Sequence, residues 1–400
     1  MLRMLLGWRV GVAVGLLAGA VVAGCQQPGR PTVSTRLPLA SLGRPSSPVP
    51  AGVILPGPAA EDPGLRPPRH ILALSSGGLY GAYSIGFLAG WTKTGTRPEF
   101  DVVTGISVGS LVAPYAFLGP EYDDEAMNIS TGVRAEDVYR IRFWLAIPFK
   151  DAVASSAPLR RLVRSQVTQE LLDRIAQEHR KGRRLYIGTT DLASRRRVVW
   201  DMGAIASLPP PTAGDLFCDV LVASCSVPGM LPPVAFSVPG PDGEPVTELH
   251  VDGGVTSPIF VPSTVFRAAE AGTPAVPGAN GNLYAVVAGK LYPDARRVKR
   301  LVLPVLISTT EALTFAHCRA ELGNLYGRTQ LAGMRFHMTA LRQDAVVNAE
   351  TLLSIDPVEM SKLYQEGERV GVLGPAWEYG SPELYDPPVE YVRSKHRWRK

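Results

Sequence analysis

Phe100-Asp101-Val102-Val103-Thr104-Gly105-Ile106-Ser107-Val108-Gly109-Ser110-Leu111-Val112-Ala113-Pro114-Tyr115-Ala116-Phe117-Leu118 joins a β-branched run to a continuous apolar run across a Gly-x-Ser-x-Gly pentapeptide. The first five residues predict a buried strand, residues 105–109 a tight turn and residues 110–118 a helix. A serine at the tip of such a turn sits in a strained backbone conformation. Gly105 and Gly109, two residues to either side, keep Cβ atoms out of the crowded space. The helix that follows aims its positive end at the hydroxyl, which favours an oxyanion forming there. Ser107 is therefore a candidate nucleophile.

Upstream, His70-Ile71-Leu72-Ala73-Leu74-Ser75 reads as a buried strand and residues 82–94 as a helix. Between them, Ser75-Ser76-Gly77-Gly78-Leu79-Tyr80-Gly81 lets successive backbone N–H groups converge on an anion at a helix start. This suits a phosphate cradle or an oxyanion hole. A P-loop places Lys-Ser/Thr after its last glycine, where this chain has Ala82-Tyr83, and the glycine spacing does not fit a dinucleotide fingerprint. Downstream, an apolar strand runs into Val251-Asp252-Gly253-Gly254. That puts Asp252 at a strand end, where α/β sites gather, and the two glycines let another backbone approach its carboxylate.

Taken in order, these pieces resemble the patatin-like phospholipase family. Its pattern is a Gly-rich oxyanion loop, then Gly-x-Ser-x-Gly, then a distant Asp-Gly-Gly. Two further blocks resemble the family: Ala223-Ser224-Cys225-Ser226-Val227-Pro228 through Leu231-Pro232-Pro233, and Thr189-Thr190-Asp191-Leu192 with Val198-Val199-Trp200. The resemblance covers about residues 69–260. It implies a three-layer α/β/α fold with a mainly parallel central sheet, and a serine lipid acyl hydrolase acting through a Ser-Asp dyad without histidine. Carried over, Ser107 is the nucleophile, Asp252 the base, and Gly77 and Gly78 supply oxyanion N–H groups. Gly81, Gly105, Gly109, Gly253 and Gly254 shape the loops. The loop departs from the family's Gly-Gly-Gly-x-Arg/Lys-Gly, since Ser76 replaces the first glycine and Tyr80 the basic residue. A lipid or ester substrate is implied, and no cofactor.

Two other readings stay open at this stage. An α/β-hydrolase would share the serine turn but needs a histidine. His250, His317 and His337 follow Ser107 in the body of the chain, and His250 is expected to face away from Asp252. A lipid-anchored binding protein with an inactive hydrolase fold would be consistent with the altered oxyanion loop.

The ends of the chain carry their own signals. Arg3 and Arg9 precede an uncharged apolar run over residues 10–24, too short for a spanning helix and ending in Val22-Ala23-Gly24-Cys25. This looks like a bacterial lipobox, so residues 1–24 are expected to be a lipoprotein signal peptide and Cys25 the lipidated residue. Gln26 in place of Asp suggests, by the same resemblance, the outer membrane. Residues 25–68, with 11 of the 36 prolines, read as a tether to a catalytic domain over 69–385 and a basic tail over 386–400.

The net charge of +5 belongs to those ends. Without the two leader arginines and the five basic residues of 393–400, 34 of the 41 basic side chains remain against 36 acidic ones. A near-neutral body argues against nucleic-acid binding. No Cys-x-x-Cys or His-x-x-x-His pairing points to a metal. Cys218, Cys225 and Cys318 read as small buried residues. The apolar residues of 110–118 and of 133–150 are candidates for core, for an acyl channel or for membrane contact. Nothing in the sequence sets an oligomeric state.

Overall fold

The computed structural model describes residues 47–55, 62, 64–142, 150–240, 244–270, 280–294, 298–347, 355–373 and 377–382. The leader, Cys25, residues 143–149 and the basic tail lie outside them.

Nine strands form the central sheet: β1 (Ser47–Pro48), β2 (His70–Leu74), β3 (Val102–Ile106), β4 (Arg184–Asp191), β5 (Arg196–Asp201), β6 (Val234–Pro239), β7 (Pro245–Asp252), β8 (Asn282–Val286) and β9 (Arg335–Thr339). Their order is β1-β6-β7-β4-β3-β2-β8-β9, with β5 also on β4. The centre, from β4 through β3, β2 and β8 to β9, is parallel. The pairings of β4 with β5 and β7, and of β6 with β7, are antiparallel. The sheet is thus mixed, with mostly parallel central strands flanked by helices, as the α/β/α expectation has it.

Strand alternation sends side chains to both faces, and both are covered. Leu72, Leu74, Val103, Leu185, Ile187, Tyr284 and Val286 enter one core. Their neighbours Ile71, Ala73, Val102, Ile106, Tyr186, Leu283 and Ala285 enter the other. The first core is closed by α1 (Gly81–Lys93), α2 (Val108–Leu118), α3 (Ala157–Gln166), α4 (Gln169–Arg180) and α5 (Thr212–Ser224). The second is closed by α6 (Ser263–Glu270) and the C-terminal part of α7 (Val302–Leu331). A last helix, α8 (Pro357–Val372), lies on α1 so closely that Cβ atoms on Gly86 or Gly90 would strike its backbone.

Several expected boundaries move. The second strand begins at Val102 and runs through Gly105 to Ile106, so the turn is tighter than expected. Residues 158–180, which have helical spacing throughout, form two helices, because Thr168 caps α4 by accepting the Leu171 N–H (3.2 Å). Helix α7 starts at Val302, with Pro304 tolerated in its first turn. Part of the expected tether belongs to the folded body. β1 pairs with β6, Val49 and Val53 are buried, and the Asp62 carboxylate accepts hydrogen bonds from Arg184 and Tyr186.

Candidate active site

The register on β4 explains how two residues 145 positions apart meet. One edge of β4 is taken by β5 over residues 186–191. On the other edge β3 runs parallel until Ile106 pairs with Gly188, and β7 runs antiparallel until Asp252 pairs with Thr189. The two strands therefore approach each other head-on, and their ends face adjacent residues of β4. Ser107 is the next residue after Ile106, so its hydroxyl leaves the sheet where the Asp252 carboxylate stands. The Ser107 hydroxyl is close enough to favour the charged form of the Asp252 carboxyl.

Ser107 has φ 54° and ψ −125°, a left-handed region that non-glycine residues seldom adopt. The surroundings hold it there. Its N–H donates to Ser224 Oγ (2.9 Å), and the Ser224 hydroxyl donates in turn to the Gly188 carbonyl (2.8 Å). Its carbonyl accepts from the Ser110 hydroxyl (2.5 Å). Helix α2 begins immediately after it, presenting its positive end.

The Asp252 carboxylate accepts the Gly254 N–H at Oδ1 (2.7 Å). Its backbone is fixed on both sides, by its own N–H to the Ser226 carbonyl (2.9 Å) and by the Thr190 hydroxyl to its carbonyl (3.0 Å). Burial pushes the carboxyl up to about 6, although its hydrogen bonds from Ser107 and Gly254 favour the charged form. The same burial pushes the neighbouring Cys225 thiol up, and the Asp252 charge adds to the effect, so this cysteine stays neutral.

The Gly-rich loop wraps the first turn of α2. A Cβ on Gly109 would lie 2.6 Å from the Ser75 carbonyl oxygen, and one on Gly81 would strike the Val108 side chain. The loop is held from behind by the Ser76 N–H to the Pro258 carbonyl (2.7 Å) and the Ala288 N–H to Ser75 Oγ (2.8 Å). Gly78 has φ 58°. Among the described residues, the Gly77 and Gly78 N–H groups donate to no backbone carbonyl. Gly105 is needed because a Cβ there would lie 2.5 Å from the Gly109 carbonyl, and Gly253 because one there would strike the Gly188 carbonyl. Gly254 lies against Ser76, joining the acid's turn to the loop. Tyr80, where the family pattern has a cation, packs half-buried beside the cluster of Leu79, Tyr83, Leu341 and Leu363 and brings no positive charge.

The three histidines are engaged elsewhere. His250 is fully buried, with Nδ1 on Thr189 Oγ1 (2.8 Å) and Nε2 on Glu248 Oε2 (3.0 Å). Being two residues from Asp252 on one strand, it leaves the sheet on the same face, contrary to expectation, and these two partners hold it. His317 pairs with Glu321 (3.8 Å) on its own helix. His337 bonds Asn282 Oδ1 (2.9 Å), and burial pushes its ring down to about 4. Asp191, Glu248 and His250 offer possible ligand atoms within 4.8 Å of one another. Asp191 already accepts the N–H groups of Ala193 (3.1 Å) and Ser194 (2.8 Å), so the group reads as a hydrogen-bonded turn. The apolar residues after the serine turn, Leu111, Pro114 and Tyr115, pack with Val163, Leu171 and Phe217 around a space of about 30 Å³, too small for an acyl chain.

Sequence reasoning missed the role of Ser224. Its signal was present in the Ala223-Ser224 block, but only the pairing of β3 with β4 shows that this hydroxyl bridges Ser107 to Gly188. A hydroxyl beside a desolvated carboxylate, near the N–H groups of a Gly-rich loop and a helix N-terminus, can pass its proton to that carboxylate and attack a carbonyl carbon.

Comparison with known proteins follows the same direction. The family model of patatin-like phospholipases matches residues 72–265, a stretch that contains the Gly-rich loop, Ser107 and Asp252. No curated protein matches the chain. Among solved structures it is similar to VipD from Legionella pneumophila, at 12% identity over 80% of this chain and 69% of that one, with a TM-score of 0.33. The chain carries a patatin-like phospholipase domain, and that membership supports lipid acyl hydrolysis in general.

Proposed function

We propose that this patatin-like domain cleaves carboxylic ester bonds of lipids through a Ser107–Asp252 dyad and an acyl-enzyme, on a protein exported and anchored to the bacterial envelope by lipidated Cys25. The observation that carries the reading is the strand register, which brings Ser107 and a buried, desolvated Asp252 together at the meeting point of two strand ends. As Ser107 Oγ attacks the ester carbonyl, Asp252 takes its proton, and the alkoxide leaving group receives it as the tetrahedral intermediate collapses. Water, deprotonated by the same carboxylate, then releases the acid and restores the serine. The Gly77 and Gly78 N–H groups stabilise the oxyanion. An ordinary aspartate near pH 4 is a poor base for a hydroxyl. Raised to about 6, it is a stronger one and still ionised at neutral pH.

The test is hydrolysis by the full chain of p-nitrophenyl butyrate and of phosphatidylglycerol in vesicles, with Ser107→Ala alongside. The reading expects turnover that the substitution removes. Turnover that survives it rejects the dyad, and its absence from every ester in the wild type favours a lipid-anchored binding protein. For the anchor, intact mass of the membrane-fraction protein is expected to show a diacylglyceryl group on a chain beginning at Cys25, with Cys25→Ser leaving it unlipidated.

A further inference from the structure

Helix α7 spans 30 residues and divides into two unlike halves. Its C-terminal half is built into the body. Leu322 and Leu325 are core residues, Glu321 accepts from the Ser257 hydroxyl (3.3 Å), and the Arg319 guanidinium lies 4.4 Å over the Tyr292 ring while donating to the Leu291 carbonyl (3.0 Å). These contacts tie the helix to both loops that flank the nucleophile. Ser257 follows the turn of Asp252, and the segment of Leu291 and Tyr292 continues from Gly289, against which the Tyr80 ring stands. Glu311, a few turns earlier, is close enough to Tyr80 to act on its ionisation.

The N-terminal half is the opposite. Leu301 (63% exposed), Val302 (72%), Val305, Leu306 and Leu313 (65%) are open to solvent. At 100° per residue these five fall within an arc of roughly 140°, with Glu311 on the far side. Residues 302–313 extend roughly 18 Å along the helix. Immediately before them, residues 295–301 contain Arg296, Arg297, Lys299 and Arg300, and no Asp or Glu occurs from 295 to 310. Lys299 and Arg300 are exposed. No helix among the described residues is long and apolar enough to cross a membrane.

We infer that this half of α7, with Lys299 and Arg300 at its root, seats on an anionic lipid bilayer and brings the mouth of the Ser107 site to the surface. Two features favour a bilayer over a protein partner. The arc is aliphatic apart from Thr309, with no aromatic anchor, and cationic side chains flank it, whereas protein interfaces are enriched in aromatic residues and depleted in lysine. An aliphatic arc with a basic root is what an interfacial helix presents to acyl chains and anionic head groups. The purpose of the seating rests on the acyl hydrolase reading. The seating itself is measurable without turnover.

The full chain carrying Cys25→Ser and Val302→Cys, labelled with an environment-sensitive fluorophore, is mixed with vesicles of phosphatidylethanolamine and phosphatidylglycerol in roughly a 7:3 ratio. The expected result is a blue-shifted, stronger emission that falls off on pure phosphatidylcholine and is missing when the label sits at Glu170→Cys on α4, against the other core. Emission at 302 that ignores anionic vesicles overturns the inference. So does a shift already present without vesicles that tracks protein concentration, since that would mean a second copy covers the arc. As a second measure, Val302→Asp with Leu306→Asp is expected to lower hydrolysis of vesicular phosphatidylglycerol at least about tenfold while p-nitrophenyl butyrate hydrolysis stays within about twofold. An equal fall on both substrates counts against the inference. A label that enters the bilayer on a chain that cleaves no ester leaves the seating intact and removes the hydrolase reading; ester cleavage without seating does the reverse.

Discussion

The junction of β3 and β7 and the exposed half of α7 are held in opposite ways. At the junction the backbone N–H and carbonyl groups of Ser107 and Asp252 have named partners, both side chains are buried, and Gly105, Gly109 and Gly253 stand where two backbones come close. On the exposed half of α7, Leu301, Val302, Val305, Leu306 and Leu313 meet solvent. The contrast separates two requirements of a lipid hydrolase. Proton transfer needs a desolvated, immobile pair, while access to an aggregated substrate needs apolar surface that folding has left uncovered. Substitutions at the junction should therefore act on every ester, and substitutions on the free half of α7 only on lipid in a bilayer.

The largest break in that comparison is Ser107→Ala, expected to lower kcat on soluble and vesicular esters alike by about 10⁴-fold or more. A residue acting through the nucleophile should cost less. Ser224→Ala removes the acceptor of the Ser107 N–H and is expected to lower kcat by about 10–100-fold with KM little changed, and stability by about 1–3 kcal/mol. Ser224→Thr, which keeps the hydroxyl, should restore part of kcat, a recovery that a loss of packing alone would not give.

The acid shows itself through pH. Because Asp252 must be ionised to accept a proton, kcat/KM on p-nitrophenyl butyrate is expected to rise about tenfold per pH unit up to about 6 and then level off. Its folded pKa lies above the unfolded value, so it favours the folded state only when protonated. That contribution is present at low pH and is lost as pH rises from about 4 through about 6. The smallest effect follows from the same sign. Asp252→Asn should be catalytically poor yet more stable at neutral pH, by about 1–3 kcal/mol in denaturant melts, with the gain vanishing near pH 4.

What the sequence made legible was local. Residues 70–94 and 100–118 each contain a strand, a Gly-rich turn and a helix in one stretch, so periodicity and turn chemistry pointed to both units. The acid at a strand end was visible, and its pairing with Ser107 came by resemblance. The head-on approach of β3 and β7 was not legible, because it is set by which residues of β4 each strand reaches, a long-range register that nothing near 107 or 252 encodes. The start of α7 was obscured by Pro304, and nothing local to the sequence shows that the fold leaves Leu301, Val302, Val305 and Leu306 uncovered. His250 was misjudged for a simpler reason, since residues two apart on a strand share a face.

The account stands or falls on the pairing of one hydroxyl with one carboxylate, and covalent labelling tests it most directly. Fluorophosphonate treatment of the full chain, followed by intact mass and peptide mapping across pH 4 to 9, is expected to give a single adduct on Ser107. Its rate should rise to a plateau with a midpoint near 6. It should collapse in Asp252→Asn and persist in His250→Gln, His317→Ala and His337→Gln. An adduct on another residue, or labelling that survives Asp252→Asn and disappears with one of the histidines, would contradict it.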